Sequence, residues 1–188
     1  MKKILIKTLK LIRPKQWIKN FAVLAPIVFT QQLFNPPILI RALLAFVIFC
    51  GLSSSIYVIN DIFDIQKDRL HPFKRFRPLA HGDLSIQYAF TLFFLLAIGS
   101  LTASFFLGLG FFLLTIVYLV LQLSYSTTLK HIAILDILAL ASGYILRVYG
   151  GEAATGYHIS VWLILTTVSL SLFLAVGKRR SELTLISG

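Results

Sequence analysis

Asn60-Asp61-Ile62-Phe63-Asp64-Ile65-Gln66-Lys67-Asp68-Arg69 follows directly on an uncharged run, residues 42–60, and the junction of the two decides how the chain is read. The 188 residues include seven acidic ones, and three of these, Asp61, Asp64 and Asp68, fall within eight positions. Continued as a helix at about 100° per residue, they lie within an arc of about 60°. Carboxylates crowded on one face repel each other, and a divalent cation offsets that charge. Mg²⁺ takes one or two carboxylates, several waters and phosphate oxygens from a substrate. The expectation is a membrane-embedded enzyme that grips a diphosphate through Mg²⁺ on Asp61, Asp64 and Asp68, with Asn60 beside them.

Working outward, residues 20–40, 42–60, 84–129 and 153–177 carry no charge, in a chain 57% hydrophobic and 13% charged. A bilayer-spanning helix needs about 20 mostly apolar residues. The run 84–129 is long enough for two, hinged at Gly108-Leu109-Gly110, and 131–151 is apolar except for Asp136 and Arg147. The reading is an all-α polytopic membrane helix bundle, one membrane domain over 1–188. Its six transmembrane helices fall near 20–40, 42–60, 84–106, 110–128, 131–151 and 158–177. Residues 1–13 form an interfacial amphipathic helix, with Lys3, Lys7 and Lys10 opposite Leu5, Leu9 and Ile12. Residues 60–83 form a cytoplasmic catalytic loop, broken by Pro72 and Pro78.

The net charge of +11 sorts by topology. With the N-terminus in the cytoplasm, 16 of the 18 Lys and Arg fall on the inner side, leaving Arg41 and Arg147 outside. The positive-inside rule accounts for that bias, so nucleic-acid binding is not needed to explain the basicity. A bacterial inner membrane, with the active site on the cytoplasmic face, is the expected location. The first apolar run is too long for a signal-peptide core, so no cleaved leader is expected. Cys50 has no partner within the chain for a disulfide.

Further candidates lie around the acidic cluster. Lys19 and Asn20, at the head of the first span, point either into a polar cavity or to the headgroups. Pro26 should kink that span, and Ser53-Ser54-Ser55 permit close helix packing. Lys74 and Arg77 follow the carboxylates, and Arg binds phosphate bidentately. His71 and His81 take structural roles, because Mg²⁺ prefers oxygen. Asp136 at membrane depth is a candidate functional residue, partnered by Lys130 or the metal, or else a structural salt bridge. Arg147 and Glu152 read as an outer surface pair. Lys178, Arg179 and Arg180 are stop-transfer flanks, and Glu182 beside them adds to a second polar lip.

Asn60-Asp61-x-x-Asp64-x-x-x-Asp68, at the cytoplasmic end of a second transmembrane helix, resembles the first Asp-rich signature of the UbiA-type intramembrane prenyltransferase superfamily. Three further stretches are similar to its decaprenyl-phosphate phosphoribosyltransferase branch. They are Arg13-Pro14-Lys15-Gln16-Trp17-Ile18-Lys19-Asn20, His71-Pro72-Phe73-Lys74-Arg75-Phe76-Arg77-Pro78, and Tyr125-Ser126-x-x-Leu129-Lys130 with Asp136. Gly177-Lys178-Arg179-Arg180-Ser181-Glu182-Leu183 stands where aromatic prenyltransferases carry a second Asp-rich motif. The resemblance implies transfer of 5-phosphoribose from phosphoribosyl diphosphate to a polyprenyl phosphate lipid, with Mg²⁺ stabilising the departing diphosphate. It assigns phosphate binding to Lys19, Lys74, Arg77, Tyr125, Lys130, Lys178 and Arg179, and a second lip to Asp136 and Glu182. It also implies a ring of nine helices, of which this chain supplies a partial version. A fragment, a homo-oligomer or a complementing subunit would each account for the difference.

Two rivals remain open on the residues alone. An aromatic or quinone-type prenyltransferase would use the same first motif on a prenyl diphosphate. A transporter with a cation site would favour inverted repeats and helix breaks at mid-membrane, and no internal repeat is evident.

Overall fold

The computed structural model describes residues 2–129 and 132–186, with the backbone alone at residues 2, 3, 133, 178, 179 and 181–186. Helix α1 (Lys2–Ile12) leads into a 3₁₀ helix (Pro14–Leu24), α2 (Ala25–Phe29), α3 (Pro36–Phe63), α4 (Ile65–Leu70) and a 3₁₀ turn (Lys74–Phe76). Then come α5 (Ile86–Leu107), α6 (Leu109–Thr127), α7 (Ala133–Thr155) and α8 (Val161–Ile186). The result is an all-α bundle.

Among the described residues, four helices are long and apolar enough to cross a membrane, not six: Pro36–Phe63, Ile86–Leu107, Leu109–Thr127 and Ile134–Thr155. The apolar part of α8, Val161–Gly177, is shorter. The expected first span, 20–40, is not one helix. Arg13 adopts a left-handed conformation (φ 52°), Pro14 opens the 3₁₀ helix, and Pro26 sits in the first turn of α2 where its missing N–H costs no bond. Gln31 (φ 59°) then turns the chain, and Pro36 restarts it as α3. A 3₁₀ helix rises about 2.0 Å per residue against 1.5 Å for an α-helix, so Pro14–Phe29 extends for about 30 Å despite its brevity.

Helix α3 is the axis of the bundle. Two-thirds (67%) of its most apolar stretch is buried, against 11% for α5 and 22% for α6, whose remaining surface is apolar and suited to lipid. Small residues set the close contacts. A Cβ at Gly51 would stand 2.2 Å from Ser100 Oγ on α5, and one at Gly151 only 2.0 Å from the Val23 carbonyl oxygen. Phe49, Phe111 and Tyr118 fill the centre, with Phe49 and Tyr118 edge to face at 5.1 Å. At one end of the bundle, Arg41 donates to the carbonyls of Leu107 (2.8 Å) and Ala154 (2.7 Å), the orphan acceptors at the ends of α5 and α7. Gly108 (φ 142°) makes the hinge between α5 and α6. At the other end lies the acidic cluster.

Candidate active site

Asn60 and Asp61 occupy the last turn of α3, which stops at Phe63. The three aspartates therefore do not share one continuous helix, as their spacing alone suggests. The chain bends at Asp64 (φ −93°, ψ 4°) and resumes as α4. This bend places Ile65 among Leu11, Val58, Leu79, Leu84 and Ala89, a satellite core that holds α1 and the following loop against the end of α3. Burial of Ile65, 7% exposed, favours the bent form. Asp61 and Asp68 come to lie buried at 3% exposure each, while Asp64 is half-buried.

Two arginines neutralise the buried pair. Arg77 Nη1 donates to Asp68 Oδ2 at 2.6 Å and to Asp61 Oδ1 at 3.2 Å. Arg13 Nη2 also donates to Asp61 Oδ1, and its guanidinium lies 5.1 Å from the centre of the Tyr57 ring. Buried carboxylates persist only when paired in this way. The loop is tied down independently. His71 Nδ1 accepts from the backbone N–H groups of Phe73 and Lys74, and Asp83 pairs with Lys7 of α1 and with His81. The Lys7 ammonium, bonded to Asp83, holds its carboxyl below the usual carboxylate range, with His81 adding to the effect. Both histidines thus sit in structural contacts.

Beside Asn60 opens a cavity of about 370 Å³. The 3₁₀ helix contributes Lys19; α3 gives Ser53, Tyr57 and Asn60; α6 gives Tyr118, Gln122 and Tyr125; α7 gives Tyr144 and Arg147; and α8 closes it with Leu174 and Ala175. No carboxylate lines it among the described residues. Tyr125, on α6, donates its phenolic hydrogen to Oδ1 of the buried Asp136 at 2.9 Å. Lys74 is exposed on its 3₁₀ turn, away from the cavity wall. Lys130 lies outside the described residues, as do the side chains of Lys178, Arg179 and Glu182.

Arg147 requires a correction. It does not face outward to pair with Glu152. At 6% exposure it lies inside the bundle, where Nε donates to Asn20 Oδ1, Nη1 to the Gly143 carbonyl and Nη2 to Tyr118 OH, each at 2.7 Å. The guanidinium also stands 5.0 Å and 5.6 Å from the ring centres of Tyr118 and Tyr144. Glu152 pairs instead with His158 at 2.7 Å. Asn20, fully buried, passes the network on to Ser53 Oγ (3.0 Å) and Cys50 Sγ (3.3 Å). Arg13 was not singled out from the sequence, where the inner-side charge bias already accounted for it. Its position between a helix end and a proline was the available signal.

Residues 21–178 match the model of the UbiA prenyltransferase family. The chain belongs to that family. It is 41% identical over 181 residues to the decaprenyl-phosphate phosphoribosyltransferase of Mycolicibacterium smegmatis, covering 94% of this chain and 57% of the relative. The corresponding protein of Corynebacterium glutamicum is also 41% identical, with 54% of its length covered. The chain thus spans a little over half the length of these curated relatives. Among solved UbiA-like folds, a digeranylgeranylglyceryl phosphate synthase superposes with a TM-score of 0.79 at 22% identity, covering 95% of this chain and 62% of that one. A UbiA homolog from Archaeoglobus fulgidus, bound to DMAPP and Mg²⁺, gives 0.72 at 21% identity, covering 88% and 60%. These likenesses establish a polytopic membrane bundle of the UbiA type.

Proposed function

We propose that this chain carries the donor site of a Mg²⁺-dependent polyprenyl-phosphate phosphoribosyltransferase. The observation that carries the reading is a cavity that sets Lys19, Arg147 and four tyrosines into a largely apolar wall, opening beside the Asn60–Asp61 rim, with no carboxylate on its described wall. A donor rich in phosphate suits such a cavity, and the 41% identity to two decaprenyl-phosphate phosphoribosyltransferases points the same way.

The residues at the rim fit Mg²⁺. All donors are oxygens, which suits a hard cation. Asn60 Oδ1 is buried and has no hydrogen-bond partner among the described residues. No three His, Cys, Asp or Glu side chains gather around one point among the described residues, but Mg²⁺ needs only one or two carboxylates beside waters and phosphates. Asp61 and Asp64, with Asp68 and Asn60 in support, would hold it. When bound, the ion stabilises negative charge as diphosphate departs.

In the reaction, an oxygen of the lipid phosphate bonds to C1 of the ribose. The C1–O bond to diphosphate breaks, and diphosphate leaves with the electron pair. The lipid phosphate is already an anionic nucleophile, so the site needs no strong base. Arg77, which bridges Asp61 and Asp68, has the donors to take a phosphate oxygen as well. The family resemblance adds Lys19, Tyr125, Lys130, Lys178 and Arg179 to the phosphate-binding set, with Lys74 on the exposed turn outside the cavity, and assigns Asp136 and Glu182 to a second lip. Further helices, from the same chain or a partner, would close the ring in a bacterial plasma membrane with the acidic rim inside.

A prenyl diphosphate donor is the second reading, favoured by the fold shared with the DMAPP-bound homolog. Membranes supplied with labelled phosphoribosyl diphosphate and polyprenyl phosphate, or with prenyl diphosphate and hydroxybenzoate, decide between them. Label entering the lipid only in the first mixture supports the proposal. Product only in the second overturns it.

A further inference from the structure

Arg147 is a buried cation with no carboxylate counter-ion among the described residues. Its three hydrogen-bond acceptors, Asn20 Oδ1, the Gly143 carbonyl and Tyr118 OH, are all neutral. Among the described residues no Asp or Glu forms an ion pair with it. The faces of Tyr118 and Tyr144 soften the cost of burial but do not cancel a full charge. An ionisable side chain at this depth is kept for a reason. Three fixed bonds also lock the guanidinium in place, leaving two of its five donors for the cavity it lines.

The cavity has two distinct ends. Asn20 joins Arg147 to Ser53 of α3. Ser53 lies seven residues before Asn60, about 10 Å along α3, so the end of the cavity tied to Arg147 and the Asn60 rim are set apart along that helix. That separation suits a pentose carrying a phosphate at each end. A prenyl diphosphate has charge at one end only and would lay its hydrocarbon against Arg147.

We infer that the Arg147 end of the cavity is a subsite for a phosphate monoester. On the phosphoribosyltransferase reading, on which this assignment rests, the group it takes is the 5-phosphate of the donor sugar. Arg147 is then a specificity-determining residue that selects a phosphoribosyl donor over a prenyl one. Because the subsite is built from a guanidinium and neutral groups, it binds its phosphate without Mg²⁺, unlike the diphosphate end.

The test uses the full chain in lipid nanodiscs with EDTA present, and three probes: ribose 5-phosphate, ribose, and geranyl phosphate as a short lipid phosphate. Ribose 5-phosphate is expected to slow backbone hydrogen exchange around residues 143–147 of α7 and Tyr118 of α6, and ribose is not. In R147Q its binding should weaken about ten- to a hundredfold, the loss expected for a charge-assisted bond to an anion, with R147K intermediate. The wild-type exchange pattern decides the matter even where a variant does not fold. No slowing by ribose 5-phosphate overturns the subsite. Slowing by geranyl phosphate alone assigns the anion to the lipid and overturns the 5-phosphate assignment. Failure of the transferase reading registers separately, as absent phosphoribosyl transfer in the membrane assay while ribose 5-phosphate still protects α7.

Discussion

Replacing Arg77 by Gln removes the cation paired with Asp68 among the described residues and one of two on Asp61, two carboxylates each 3% exposed. Breaking a buried ion pair from one side costs about 3–5 kcal/mol. Arg77 is 27% exposed and Arg13 remains on Asp61, so the expected loss is smaller, about 2–3 kcal/mol. For a chain of this size that lowers the melting midpoint by about 4–12 °C, measured by intrinsic fluorescence in nanodiscs. The second arm is R77Q combined with D68N. Removing the stranded charge should restore about 1–2 kcal/mol, so the two changes are non-additive in the cycle. A loss below about 0.5 kcal/mol, as for an exposed pair, or simple additivity would refute the claim that Arg77 serves as counter-ion to a buried acidic pair.

Three other outcomes follow from the packing. Asp83 has a lowered pKa because Lys7, and then His81, favour its charged form. Its contribution is therefore present above the ordinary carboxylate value of about 4 and lost as pH falls through the lowered folded value; hydrogen exchange in α1 should rise at that point in wild type and show no such step in K7Q. Gly151→Ala puts a methyl 2.0 Å from the Val23 carbonyl, against backbone that cannot rotate aside, and should cost about 1–3 kcal/mol by thermal melting. Arg41→Met strands the carbonyls of Leu107 and Ala154 and should cost about 1–3 kcal/mol, with faster exchange confined to the C-terminal ends of α5 and α7.

Much of the bundle was legible as uncharged runs, because a bilayer demands length and apolarity and little else. The stretch 84–129 contains both α5 and α6 with Gly108 between them. The segment after Arg13 was not legible, because a 3₁₀ helix has no apolar period that separates it from an α-helix in so short a span. The acidic cluster stood out from composition alone, but its bend at Asp64 depends on Ile65 reaching a core built by α1, α3 and α5. Arg147 could not be placed by local pattern. Its burial is set by Asn20, 127 residues away, and by a tyrosine on α6. Near the end of an apolar run, a lone arginine reads equally as a flank or as the centre of a site.

The rim of α3 is most directly tested by binding of phosphoribosyl diphosphate to the full chain, titrated with and without Mg²⁺ in wild type, D61N and D64N. The account predicts binding that Mg²⁺ strengthens and that EDTA reduces to the level of ribose 5-phosphate, with the Mg²⁺-dependent gain lost in both variants although they insert and remain folded. Equal affinity in EDTA, or wild-type binding and turnover in either variant, would contradict it.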